Sequence, residues 1–214
     1  MQSEASRSPS ASDAAPGSIP HHRLARLAVA AVRPDARPDP HRLDHRNGRL
    51  ALRHAYLAYG SRDTSRVGRD QNGRPFLQSR PDLHCSVAHS AGYGLAAVSD
   101  TPVGVDIERI RAHSPRVLSL IASPAEIQVL MRRGEVTDMV TRCWTIKESV
   151  LKGLGVGLAV APGRLRLRPL RPGWFAVDVP GGPRWTVRSQ RVDECYLAVA
   201  VLEVPGEFPA IDWY

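Results

Sequence analysis

The feature that most limits the fold is a change of hydrophobic period along the chain. From Gly73 onward apolar residues recur at every second position, in short runs broken by turn residues, which predicts strands. Leu83–His89 and Tyr93–Ser99 alternate about Ser90-Ala91-Gly92, the pattern of a hairpin, and Val103–Arg109 follows Pro102 as a third strand. Leu165–Leu170, Trp174–Val179, Trp185–Val187 and Cys195–Val204 read as an antiparallel meander. Helical periods interrupt this pattern. A helix is expected from about Arg46 to Tyr59, capped by Asp44, with Leu52, Tyr56 and Tyr59 on one side and Gly60 as its stop. Ser123-Pro124-Ala125-Glu126 is a capping box with proline at the first helical position, opening a helix that ends near Gly134. Another runs from about Thr137 to Leu154, with Val140, Trp144, Leu151 and Leu154 as its apolar stripe and Gly155 after it. Leu24–Val32 reads as a strand, with a helix as the alternative. The expected class is therefore α/β (α+β), each half pairing a small antiparallel sheet with a long helix. Leu95-Ala96-Ala97-Val98 echoes Leu197-Ala198-Val199-Ala200, although small apolar strands resemble one another by chance.

Residues 1–20 are rich in Ser, Ala and Pro and carry almost no large apolar side chains, so they are expected to be a disordered tail. Residues 21–102 and 103–214 are expected to form the two halves. Cys85, Cys143 and Cys195 are widely separated and lack metal-ligand spacing, which suits small core residues in a reducing compartment. No stretch approaches the roughly twenty apolar residues of a membrane span, and the expected location is the cytoplasm. The 29 Lys+Arg against 21 Asp+Glu give a net charge of +8, which favours polyanionic partners. Only Lys147 and Lys152 are lysines; an arginine-rich, alanine-rich composition also follows from a high-GC genome, so the charge alone carries little weight.

Two segments carry chemistry. In a strand over Val103–Arg109, Val103, Val105 and Ile107 share one face, and Gly104, Asp106 and Glu108 the other. Two carboxylates on one face repel each other unless a cation lies between them, and an oxygen-only donor set suits Mg²⁺ holding substrate phosphates. Gly104 is expected to leave room there for a ligand. In the second segment, Trp144-Thr145-Ile146-Lys147-Glu148-Ser149-Val150-Leu151-Lys152, Glu148 and Lys152 lie one helical turn apart. Together the segments supply three carboxylates and a lysine, a set fit for metal-assisted phosphoryl chemistry.

Gly104-Val105-Asp106-Ile107-Glu108, followed about forty residues later by the Trp144–Lys152 segment, resembles the paired signature of the 4'-phosphopantetheinyl transferases of the monomeric Sfp type. In that family the signatures read G-[IV]-D-[IV]-E and [FW]-[ST]-x-K-E-[AS]-x-x-K, and every position matches. Gly73-Arg74-Pro75-Phe76-Leu77 is similar to the family's Gly-Lys-Pro element, with Arg for Lys. Ser86-Val87-Ala88-His89-Ser90 is similar to its N/S-[IL]-S-H-S element, with Ala88 where serine is usual. The resemblance implies a pseudo-dimer of two similar halves with coenzyme A bound between them. It implies that Asp106, Glu108 and Glu148 hold Mg²⁺ (or Mn²⁺), that Glu148 and Lys152 are catalytic, and that Arg49, Arg74, Pro75, Ala88, His89, Asp106 and Lys152 bind the cofactor. Ala88 would leave coenzyme A one hydroxyl contact short. Glu126 is accounted for by its capping box and is left outside the site, while Lys147 is either solvated or turned to the cofactor. The implied partner is an apo acyl or peptidyl carrier protein. It would dock between Ser114 and Gly134, where Arg116, Arg132 and Arg133 lie, and neither nucleic acid nor membrane is expected. The alternative is a basic module that binds RNA or another polyanion without turnover.

Overall fold

The alternation read from the sequence places one apolar face of each sheet toward the other sheet and the opposite face under a helix. The computed structural model describes residues 27–33, 40–61, 66–131, 136–202 and 212–213. In the first half β1 is Leu27–Val32, α1 Pro40–Ala58, β2 Val67–Arg69, β3 Pro75–Leu77, β4 His84–Ser90 and β5 Tyr93–Ser99. In the second, β6 is Val103–Arg109, α2 Pro115–Ile121, α3 Pro124–Met131, α4 Val136–Leu154 and β7 Arg166–Arg171. Then β8 spans Trp174–Asp178, β9 Arg184–Val192, β10 Cys195–Leu202 and β11 Asp212–Trp213.

One sheet has the order β11-β1-β5-β4 and the other β6-β10-β9-β8-β7, while β2 and β3 form a separate ribbon. All pairings are antiparallel except β11 with β1, so the last described residues return to the first sheet. The echoing segments occupy equivalent places. Leu95–Val98 lies in β5, flanked by β1 and β4, and Leu197–Ala200 lies in β10, flanked by β6 and β9. The fold is thus α/β with two similar halves. A core containing Val29, Leu95, Val105 and Leu197 fills the space between the sheets. Leu52 and Tyr56 of α1, with Tyr59 just after it, pack on the outer face of the first sheet, and Ile146, Val150 and Leu151 of α4 on that of the second.

Strands β7, β8 and β10 and helix α4 fall close to their expected ranges, while β9 extends well past the expected Trp185–Val187. Helix α1, however, starts at Pro40, so Asp44 is not its cap; its Oδ1 instead accepts from Gly92 N at 2.6 Å. Together with Asn47 Nδ2, which donates to Gly92 O at 2.7 Å, it pins the β4–β5 turn to the helix. That turn holds Ala91 and Gly92 at φ 53° and 83°, the left-handed pair a tight hairpin requires. Helix α2 escaped the periodicity, although Ser114-Pro115 marks its start and the Ser114 side chain accepts from Val117 N. The expected tail, the helix end near Gly134, Arg132, Arg133 and residues 203–204 of the last strand lie outside the described residues.

Gly104 corrects one expectation. Its missing side chain admits the helix and leaves no room for a ligand: a Cβ there would lie 1.8 Å from Ser149 O and 2.4 Å from Gly153 N of α4. The contact is backbone against backbone, so no side chain can swing away. Gly104→Ala is expected to destabilise by about 3 kcal/mol, at the upper end of overpacking costs, with a melting temperature roughly 6–12 °C lower. A thermal melt within 2 °C of the parent would contradict this packing.

Candidate active site

Strand alternation turns Asp106 and Glu108 toward α4, and the i, i+4 spacing on that helix returns Glu148 and Lys152 toward them. Lys152 Nζ donates to Asp106 Oδ1 at 2.6 Å, and Trp144 Nε1, one turn before Glu148, donates to Glu108 Oε1 at 3.1 Å. Asp106 is 3% exposed, and its second oxygen, Oδ2, is buried with no hydrogen-bond partner. Such an orphaned carboxylate oxygen is costly unless something outside the polypeptide satisfies it.

The electrostatics follow from three acids sharing one ammonium. Burial pushes all three carboxyls above their ordinary values; the charge of Asp106 adds to this for Glu108 and Glu148, and that of Glu108 for Glu148. Glu148 is pushed up to about 7. Lys152 draws Asp106 down but does not outweigh its desolvation. Burial opposes the charge on Lys152 itself, yet the surrounding carboxylates more than restore it, and the ammonium is held.

His89 faces α1, its ring edge-on to His45 with centroids 4.4 Å apart. Burial holds it below the usual histidine value, with His45 and Lys152 acting the same way. Arg74, Pro75 and Lys152 line a cavity of about 230 Å³ together with Ser86, Gly155 and Gly157. The structure therefore brings Asp106, Glu108, Glu148, Lys152 and His89 into one electrostatic group, with Arg74 and Pro75 beside Lys152. Arg49 lies exposed on α1, four residues beyond His45.

The Ala88 side chain is 3% exposed and packs in the core between the sheets. On the same face of β4, Ser86 Oγ accepts from Val105 N and Ser90 Oγ from Arg109 N. His45, Arg69 and Asn72 of this region were missed in the sequence, since none lies in a motif whose spacing points to the site.

Among the described residues no three acids, histidines or cysteines form a preassembled metal cage. Mg²⁺ does not need one. It commonly takes one or two carboxylates and fills its remaining positions with water and substrate phosphates. The unpartnered Asp106 Oδ2 and the all-oxygen donor set fit that habit.

Glu148 gives a prediction without metal. Between its ordinary 4.5 and its folded value near 7, the folded chain holds a proton that the unfolded chain has released, so stability falls as pH rises through that window. Glu148→Gln removes the penalty. In chelator, the variant's advantage should grow by about 1–2 kcal/mol from pH 5 to pH 8, after discounting for partial solvent access. His84, His89 and His113, all held low by burial, oppose the trend below pH 6.5 but are common to both proteins. Denaturant unfolding at both pH values checks it, and a constant gap would refute it.

Residues 102–200 match the family model described as the 4'-phosphopantetheinyl transferase superfamily. A 4'-phosphopantetheinyl transferase of Bacillus subtilis is 28% identical over 132 residues, covering 60% of this chain and 59% of its own length. The 4'-phosphopantetheinyl transferase Sfp of Bacillus subtilis strain 168 is 27% identical over 148 residues, covering 67% and 65%. The crystal structure of holo-[acyl-carrier-protein] synthase from Neisseria meningitidis aligns with 48% of this chain and 98% of its own, at 16% identity and a TM-score of 0.43. The second half of the chain is thus similar to the 4'-phosphopantetheinyl transferase superfamily, and the listed Bacillus relatives extend that similarity into the first half. The alignments span 59% and 65% of the two Bacillus relatives' lengths. No helix among the described residues is long and apolar enough to cross a membrane.

Proposed function

We propose that this chain transfers the 4'-phosphopantetheine arm of coenzyme A to a serine of an apo carrier protein, acting as a monomer with Mg²⁺ in the cytoplasm. The observation that carries the reading is the buried, unpartnered Asp106 Oδ2 among three acids that share one lysine. Asp106, Glu108 and Glu148 would hold the ion, which when bound offsets charge on the phosphoryl group and its leaving group.

The chain's own residues supply the rest. The serine Oγ forms a bond to the β-phosphorus as the P–O bond to the leaving 3',5'-ADP breaks. Glu148, with a folded value near neutrality, suits the acceptance of the serine proton. Lys152 is a fixed positive charge for the phosphates. Trp144 holds Glu108 by its indole N–H. Arg74 and Pro75 line the wall beside Lys152, and His89 and the exposed Arg49 are candidates for the adenosine phosphate. Incubating the protein with Mg²⁺, coenzyme A and an apo carrier domain, then weighing the carrier, tests the reading. An unmodified carrier, with RNA retained instead, would favour the non-catalytic basic module.

For the carrier, exposed Arg116 on α2 is the described member of the expected docking arginines. Arg116→Glu should raise the apparent KM for the carrier several-fold and leave that for coenzyme A alone. The effect should fade with added salt, because exposed charges are screened over about 8–10 Å. An unchanged carrier KM at low salt would remove α2 from the docking surface.

A further inference from the structure

A second cavity lies away from the Asp106, Glu108 and Glu148 carboxylates, in the second half. It measures about 680 Å³ and is bounded by α3, α4 and the β7–β8 turn. None of its lining residues is shared with the cavity beside Lys152. Its size is that of pockets which enclose small organic ligands. Met139, Leu170 and Phe175 supply apolar wall, and Leu170 is 56% exposed at the rim.

The charge in this cavity is one-sided. Its acid, Glu126, is already consumed, with Ser123 N and Lys147 Nζ donating to one oxygen and Leu167 N to the other. Its cations are not. Arg142 donates only to Ser189, at 3.4 Å through Nε and Nη2, and pairs with no carboxylate among the described residues. Its guanidinium lies 4.8 Å from the Phe175 ring centroid and 5.4 Å from that of Tyr196, which fixes it while leaving N–H donors of its five unused. Arg171 is stacked on Trp174 at 4.4 Å, likewise without a carboxylate.

We infer that this cavity is a second ligand site, for an amphipathic anion whose apolar body lies on Met139, Leu170 and Phe175 and whose carboxylate or similar head pairs with Arg142. A cation of the same shape would meet two arginines with no free acid to receive it. The site is independent of the transfer reaction, and binding alone tests it.

Isothermal titration of the full chain with decanoate is the experiment, with decylammonium as the charge-reversed control. Decanoate should bind at one site, and decylammonium at least tenfold more weakly. Arg142→Gln, which keeps polarity and loses the charge, should weaken decanoate at least tenfold. Leu170→Glu, an exposed change that puts a like charge at the rim, should do the same without testing the core. Saturating coenzyme A should leave decanoate affinity unchanged. The site is overturned by any of four results: no decanoate binding, equal affinity for decylammonium, unchanged affinity in both variants, or competition by coenzyme A.

Discussion

Asp106→Asn is expected to lower kcat/KM for carrier modification by on the order of 10²–10³-fold, the cost of removing one preorganised charge-stabilising group, while the protein stays folded. Asparagine keeps the shape and an oxygen for Lys152 Nζ, so the 2.6 Å contact has a successor and only the charge is lost. Without metal, the three acids repel one another in a partly desolvated space, and deleting one charge relieves that repulsion. The melting temperature in chelator should therefore equal or exceed that of the parent. Asp106→Ala should be as inactive but less stable, because Lys152 loses its nearest acceptor; the loss is moderated because its side chain is 35% exposed and can reach water. Mg²⁺ should raise the parent's melting temperature and have little effect on either variant. Turnover by Asp106→Asn within threefold of the parent would end the assignment of Asp106 to the site.

The shared face of Asp106 and Glu108 was legible in the sequence because β-alternation is a rigid rule. Once Val103–Arg109 is a strand, Asp106 and Glu108 must share a face, and the helical spacing of Glu148 and Lys152 is equally fixed. What sequence spacing could not say is what lies across from that face. Gly104 was read as room for a ligand, whereas the space belongs to the backbone of α4. Ala88 was read against a motif, yet its neighbours on the same face, Ser86 and Ser90, bind the backbone of β6. Both positions make contacts between segments distant in sequence, where a local pattern gives orientation but no partner. The short elements were lost for another reason. Strands β2 and β3 have three residues each and β11 has two, too few to show any period.

Glu126 and Lys147 show the same limit, and they carry the largest expected effect on stability. The capping box is present: Glu126 Oε2 accepts from Ser123 N at 2.7 Å, and Glu126 N donates to Ser123 Oγ at 3.3 Å. It is only part of the residue's work. Lys147 is fully buried, neither solvated nor turned to a cofactor, and its ammonium donates to Ile121 O at 2.8 Å and to Glu126 Oε2 at 2.9 Å. Glu126 Oε1 also accepts from Leu167 N of β7 at 2.9 Å. One carboxylate therefore ties α3 to its own N-terminus, to α4 and to the edge of the second sheet. Glu126→Ala would leave a buried ammonium with a single carbonyl and would strip Ser123 N and Leu167 N of their acceptor. A loss of about 3–5 kcal/mol is expected, the usual result of breaking a buried pair from one side, with a melting temperature lower by roughly 6–20 °C. Lys147→Met should cost less, because the Glu126 side chain is 12% exposed and keeps both backbone donors. The double variant Glu126→Gln/Lys147→Met removes both charges and should recover most of the loss, since the penalty lies in the unpaired ion and not in the absence of the pair. Thermal and denaturant unfolding of the three proteins decides the matter. If the double variant is as unstable as Glu126→Ala, the cost lies in the backbone contacts of Glu126 and not in the stranded charge of Lys147.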